Sequence, residues 1–271
     1  MLYRNSIRAI AFVGALCATM AGTFAWDDSK YPDFSGQWRP IGGPGRFARD
    51  QKPPLTPEYQ AIFDDIKSEG GQGTSNMTYL CFSPGMPRVT NGYGEMEFVI
   101  APTTVHVLVD HIYDNRRIFT DGRPWPEPMI PTLLGYSIGR WIDTDGAGRY
   151  NALMIETRDI GGPRTFDNTG LPLHEDGQTI VKEYIHGDRN DPDLLHNEIT
   201  VIDHALTRPW TVTRTSRRER DVKWFEHPCE NAYSQHLYIA GEAYFFSADG
   251  RLMPGRKNQP PPDLRYFDQS R

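Results

Sequence analysis

Beyond its first 25 residues the sequence has no apolar run long enough to cross a membrane, and the mean hydropathy of -0.58 fits a chain facing water. It has no basic surplus either. The net charge is -6 and the pI is near 5.8, which argues against nucleic acid as a partner, because phosphates demand a cationic surface. The one basic cluster, Arg214, Arg217, Arg218 and Arg220, is interrupted by Glu219 and Asp221 and reads as the solvated face of a strand. Cysteine is scarce, with three residues in 271, and no pair of His or Cys sits at zinc-ligand spacing. His106 and His111 are five apart, and His196 and His204 lie at opposite ends of one strand pattern. A Gly-x-Ser-x-Gly elbow, a phosphate loop and a dinucleotide fingerprint are all missing. Gly42-Gly43-Pro44-Gly45 is not followed by the helix that such a fingerprint requires. These absences predict no metal and no cofactor, and leave a small molecule as the expected partner.

The first 25 residues have their own pattern. Arg4 and Arg8 precede an apolar stretch from Ala9 to Ala25, and Thr23-Phe24-Ala25 offers a small-residue cleavage site before Trp26-Asp27-Asp28. This predicts a secretory signal peptide over 1–25, and so a periplasmic or secreted product. Cys17 would leave with it. Cys81 and Cys229 would then be an even pair in an oxidising compartment, and a disulfide between them would close a loop of roughly 150 residues. In the chain-entropy account such a bond stabilises by about 4–5 kcal/mol.

Residues 26–253 read as one β-rich domain, with 254–271 as an extended tail around Pro260-Pro261-Pro262. A short opening strand is expected within Asp33–Trp38. One helix is expected from Thr56, which can cap it, with Pro57 suited to its first turn and Glu58 complementing its dipole. Tyr59, Ile62, Phe63 and Ile66 form an apolar stripe at helical spacing, and Gly70-Gly71 ends it.

From Glu95 the period becomes two. Strands are expected over Glu97–Ala101, Thr103–Asp110, Ile112–Asp121, Leu134–Ile142, Tyr150–Asp159, Thr179–His186, Leu195–Asp203 and Trp210–Arg220, with a further pair around Leu237–Leu252. Strands so regularly spaced predict an all-β fold: an antiparallel, lipocalin-like barrel or a sandwich, with one flanking helix. Asp143-Thr144-Asp145-Gly146-Ala147-Gly148 has the alternating acids of a calcium loop. The twelfth position, however, is Met154 rather than an acid, so the stretch reads as a hairpin turn.

Several fragments together resemble a family of exported bacterial proteins of largely unassigned function. They are Cys81 with Gly85-Met86-Pro87-Arg88, Arg116-Arg117-Ile118 with Asp121-Gly122-Arg123, and Gly135-Tyr136-Ser137-Ile138-Gly139-Arg140-Trp141. Ile155-Glu156-Thr157, Thr207-Arg208-Pro209-Trp210 and Cys229-Glu230-Asn231 continue the pattern in the same order. The family commonly has a shorter turn after Gly-Arg-Trp and a His after its second Cys; here Asp143 to Tyr150 are inserted and Glu230 follows Cys229 directly. The resemblance implies export, one β-rich domain and the disulfide, and no particular reaction.

For chemistry the stretch Arg116–Trp141 concentrates charges and large aromatics. Alternation places Tyr113, Arg117 and Asp121 on one face of a strand, and Thr104, His106, Leu108 and Asp110 opposite the apolar Val105, Val107 and Val109 on the strand before it. Should the Tyr113 face line a lumen, Arg117 would bind an anion, and Tyr113 or His106 would move a proton, with Asp121 beside them. Alternatively, Arg117 and Asp121 form a structural ion pair. His174, oriented by Glu175 or Asp176, is a second candidate base, and Glu226-His227 a third acid–base pair. Arg123, Trp125, Tyr136 and Trp141 are the expected substrate-binding residues. The leading expectation is a cofactor-independent lyase or isomerase acting on an aromatic or apolar acid. Decarboxylases of phenolic acids offer a comparison by fold alone. The alternatives are a non-catalytic periplasmic binding protein and a structural envelope protein whose barrel is filled by its own side chains.

Overall fold

The structure, a computed structural model, describes residues 26–42, 51–68, 83–91, 95–110, 114–162, 165–221, 237–240, 242–246 and 251–254. Nine strands close a barrel in sequence order: β1 (Gln37–Pro40), β2 (Met96–Ile100), β3 (Thr104–Val109), β4 (Asp114–Phe119), β5 (Tyr136–Ile142), β6 (Ala152–Arg158), β7 (Ile180–Gly187), β8 (Leu194–Ile202) and β9 (Trp210–Glu219). The ring shuts where β9 pairs with β1, Gln37 opposite Glu219 and Pro40 opposite Ser216. Three short strands, β10 (Leu237–Ile239), β11 (Glu242–Phe246) and β12 (Leu252–Pro254), form a separate antiparallel sheet. The expected all-β barrel with one flanking helix is what the chain forms.

One strand pair departs from the antiparallel expectation. β4 and β5 run parallel, paired through only Ile118–Ser137 and Phe119–Ile138. Parallel neighbours need a connection that carries the chain back to the starting end of the sheet. The crossing between Phe119 and Tyr136, stiffened by Pro124, Pro126, Pro128 and Pro131, provides it. Gly139 sits at this seam without a side chain, and a Cβ there would lie 2.7 Å from Cγ2 of Ile118.

Inside the barrel the alternating positions supply the core: Val105, Val107 and Val109, Leu153 and Ile155, Val181 and Ile185, Ile199 and Val201, and Val212. Each such side chain contributes about 1.5–3 kcal/mol when fully withdrawn from water. Two irregular segments add to it. Met86 and Val89 come from Ser83–Asn91, and Phe166, Leu171 and Leu173 come from the stretch before β7. Phe166 packs on Trp210 with ring centroids 4.5 Å apart.

The single α-helix among the described residues, α1 (Pro57–Ser68), is capped as expected, its Tyr59 amide donating to Thr56 Oγ1 at 3.3 Å. It is tied to the β8–β9 connection by Thr56 N–H to Ala205 O and Thr207 N–H to Pro54 O. Its apolar stripe is only partly used, since Phe63 is buried and Ile62 is 41% exposed. The Asp143–Gly148 stretch is a turn between β5 and β6, in which Asp143 accepts from the amides of Ala147 and Gly148, and Gly146 and Gly148 take positive φ.

The basic cluster near the end of β9 is not a uniformly solvated face. Arg217 and Arg220 are exposed and pair with Asp191 and Asp193, but the Arg218 side chain is 4% exposed. Strand alternation turns Arg218 away from Arg217, and its guanidinium finds Asp33 and Asp193, the carbonyls of Asp33, Ser35 and Pro192, and the face of Trp38. Among the described residues no helix is long and apolar enough to cross a membrane. Residues 1–25, the two cysteines Cys81 and Cys229, Glu226-His227 and the tail beyond Pro254 lie outside the described residues.

Candidate functional site

Cross-strand register decides which charges enter the barrel. Val107 faces Arg116 across β3 and β4, and His106 faces Arg117. Residues directly opposite in an antiparallel pair share a face, so Arg116 joins the valines inside and Arg117 joins His106 outside. Arg117 is accordingly exposed, and His106 is half-buried with Nδ1 3.3 Å from Asn115 Oδ1. Asp121 is also outside, bound to Arg123 rather than Arg117. Tyr113 lies outside the described residues. The lumen therefore holds Arg116 where alternation alone left the choice of inner face open.

Arg116 is the centre of a buried polar network. It donates to Glu183 Oε2 at 2.5 Å, to Thr157 Oγ1 at 2.8 Å and to Ser137 Oγ at 3.3 Å, while Asn197 donates to Glu183 Oε1 at 2.9 Å. Beside it lies a cavity of about 20 Å³, lined by Thr90, Val107, Arg116, Glu183, Asn197 and Arg214 among others. That is room for about one water, so the inner polar network supports the barrel and is too tight for a substrate. Glu183 and Asn197 were missed by sequence reasoning; their place in strand alternation among Val181, Ile185 and Ile199 was the available signal.

The roomier concavity is outside, over β5–β7 and beneath the Phe119–Tyr136 crossing. This groove, of about 820 Å³, is lined by Tyr31, Arg123, Trp125, Arg140, Trp141, Tyr150, Met154, Glu156, Arg158, Lys182, Tyr184 and Glu198, among others. Three of the four expected substrate-binding residues, Arg123, Trp125 and Trp141, line it. The fourth, Tyr136, backs Trp125 at 6.0 Å between ring centroids and stacks on Phe119 at 5.0 Å.

At one end of the groove Arg158 lies over the Trp125 ring at 4.5 Å and pairs with Glu156, which also holds Lys182 at 3.3 Å. Arg123 lies over Phe119 at 3.9 Å, and its hydrogen bonds hold the Asp121 carboxyl down at about 2. At the other end Tyr31 packs on Trp141 and Tyr150, with centroids 5.1 and 5.3 Å away. Among the described residues the exposed Arg140 has no carboxylate partner, although it stands one residue from Trp141.

The remaining candidate, His174, is half-buried at the approach to β7. Its Nδ1 accepts the Asp176 amide at 3.2 Å, and its own amide donates to Asp203 Oδ1 at 2.9 Å. Asp176, and not Glu175, is the acid beside it, and His204 approaches the same carboxylate closely. Hydrogen bonding to that carboxylate pushes the His204 imidazole above its ordinary value. His204 was not expected here, because 28 residues separate it from Asp176 and no spacing rule reaches that far.

No protein-family model matches the chain, and no curated protein is similar enough to match it.

Proposed function

We propose that this protein binds an aromatic or otherwise apolar small molecule carrying an acidic group, and that the external groove over β5–β7 is its site. The observation that carries the reading is Arg140, exposed and without a carboxylate partner among the described residues, on the floor of a groove bounded by Trp125 and Trp141. A guanidinium can grip a carboxylate through two parallel hydrogen bonds, and tryptophan faces supply apolar area with fixed geometry. The neighbouring cations are already committed, Arg123 to Asp121 and Arg158 and Lys182 to Glu156. We propose, as part of this reading, that the chain is exported after cleavage following Ala25 and that Cys81 and Cys229 are bonded in the product.

Titration of the purified protein with a panel of phenolic and other aromatic acids, followed by tryptophan fluorescence and calorimetry, tests this. Saturable 1:1 binding that weakens about tenfold or more in Arg140→Ala supports it, a loss of the size expected for one charge-assisted contact. Binding that is equal in Arg140→Ala overturns the site. Failure of the whole panel overturns the ligand class and favours a structural envelope protein.

The second reading is a cofactor-independent lyase or isomerase on the same class of acid. It is favoured by one observation, the side-by-side His106 and Arg117 on the outer face of β3 and β4. Product formation without added cofactor, reduced in Arg117→Ala and Tyr113→Phe, supports it. Turnover untouched by both substitutions removes those residues from the mechanism.

A further inference from the structure

We propose that His174, Asp176 and His204 form a surface site for one borderline divalent transition-metal ion, of which Zn2+ is the test case. A nitrogen from each imidazole and a carboxylate oxygen of Asp176 lie within 4.8 Å of one another. His174 Nδ1 is 3.2 Å from Asp176 Oδ2, and His204 Nδ1 is in hydrogen-bond contact with the same oxygen. Two imidazoles and one carboxylate suit zinc and its neighbours far better than magnesium or calcium, which prefer all-oxygen shells. A tetrahedral zinc with metal–ligand bonds of 2.0–2.2 Å holds its donors about 3.3 Å apart. His174 and Asp176 stand at that spacing, His204 must draw back from its hydrogen-bond contact with Asp176 to reach it, and all three donors lie within 4.8 Å of one another. Small χ rotations of the exposed His204 and half-buried His174 complete it and leave a fourth position open to water or ligand.

The support behind these residues is what separates the site from a chance surface contact. Asp203 is a single carboxylate that fixes both contributing loops. Its Oδ1 accepts the amides of His174 (2.9 Å) and Ala205 (2.8 Å), and its Oδ2 accepts the hydroxyl of Thr179 (2.6 Å). It therefore sets the backbone on either side of the cluster before any ion arrives. Gly177 takes a φ of +74 directly after Asp176, and the Gln178 amide donates to the Asp176 carboxylate at 2.9 Å, fixing how that side chain leaves its turn. Tyr59 of α1 packs on the His174 ring at 5.5 Å and limits its rotation. Backing groups that orient ligands in this way typically change metal affinity about 10–100-fold when removed.

The test uses the untagged full-length product after dialysis against chelator, titrated with Zn2+ alone and followed by calorimetry and thermal unfolding. One Zn2+ per chain, a rise in Tm with Zn2+ that Mg2+ does not reproduce, and loss of the strong event in His174→Ala and in His204→Gln are expected. Asp203→Asn is expected to weaken binding about tenfold while leaving the stoichiometry at one. The proposal is overturned if no strong Zn2+ event occurs, if Mg2+ gives the same response, or if both histidine variants bind as the parent does. Because His204 is 64% exposed, His204→Gln leaves the fold intact and keeps the result interpretable.

Discussion

Arg116 Nη2 lies 2.5 Å from Glu183 Oε2 inside the barrel, with the two side chains 3% and 0% exposed. Neither charge would be tolerable there alone. Ser137 and Thr157 accept from Arg116 and Asn197 donates to Glu183, so both charges enter the core hydrogen-bonded beyond their own contact.

Removing one partner leaves the other as an isolated buried charge. Arg116→Ala is expected to lower the unfolding free energy by about 3–5 kcal/mol in urea titrations, and Glu183→Ala by a similar amount. The double substitution Arg116→Met with Glu183→Leu is expected to recover most of that loss, since no charge is then stranded. A single-variant loss below about 1 kcal/mol would contradict the pair's burial and its place at the centre of the network.

The same two residues show what could be seen in the sequence. The positions of the strands along the chain, the helix start at Thr56 and the apolar face of Val105, Val107 and Val109 follow from local alternation and capping, and all appear in the structure, whereas the order of strands around the barrel does not follow from them. Which face of β4 turns inward depends on its register against β3, a non-local fact, and the register brings in Arg116 rather than Arg117. The parallel β4–β5 seam was hidden for a related reason: a proline-rich connection does not state which end of the sheet it returns to. The residues of the outer groove were easier to pick out, because Arg123, Trp125 and Trp141 lie within one short stretch. His204 joins Asp176 only through the fold.

The β4–β5 seam makes its own prediction. A Cβ at Gly139 would meet Ile118 Cγ2 at 2.7 Å, Thr120 Cγ2 at 3.2 Å and Leu153 Cδ1 at 3.3 Å, and these atoms belong to stiff or packed side chains. Gly139→Ala is therefore expected to cost about 1–3 kcal/mol through overpacking at the point where the ring is held by only two ladder pairs. Combining it with Ile118→Val should not restore stability, because valine keeps a γ methyl, whereas Ile118→Ala should relieve the clash while losing its own burial. Melting temperatures of the three variants check this. A Gly139→Ala protein as stable as the parent would mean that β4 and β5 are not packed this closely.

Asp167 supplies a pH test. Burial pushes its carboxyl above the ordinary value of 3.8, outweighing the hydrogen bonds from Thr169 and the positive charges of Arg88 and Arg214. The folded state thus holds this proton more tightly than the unfolded chain does. The group favours the fold fully below 3.8, and that contribution is lost as pH rises through the elevated folded-state value. Asp167→Asn keeps an oxygen acceptor for the Thr169 amide and has nothing to ionise. Its stability relative to the parent should therefore climb as pH rises from about 4 and level off once the parent's carboxyl has ionised in both states. At neutral pH the variant is expected to match or exceed the parent. Urea titrations at several pH values measure the difference, and a relative stability that falls with rising pH would show that Asp167 is held ionised by Arg88 and Arg214 instead.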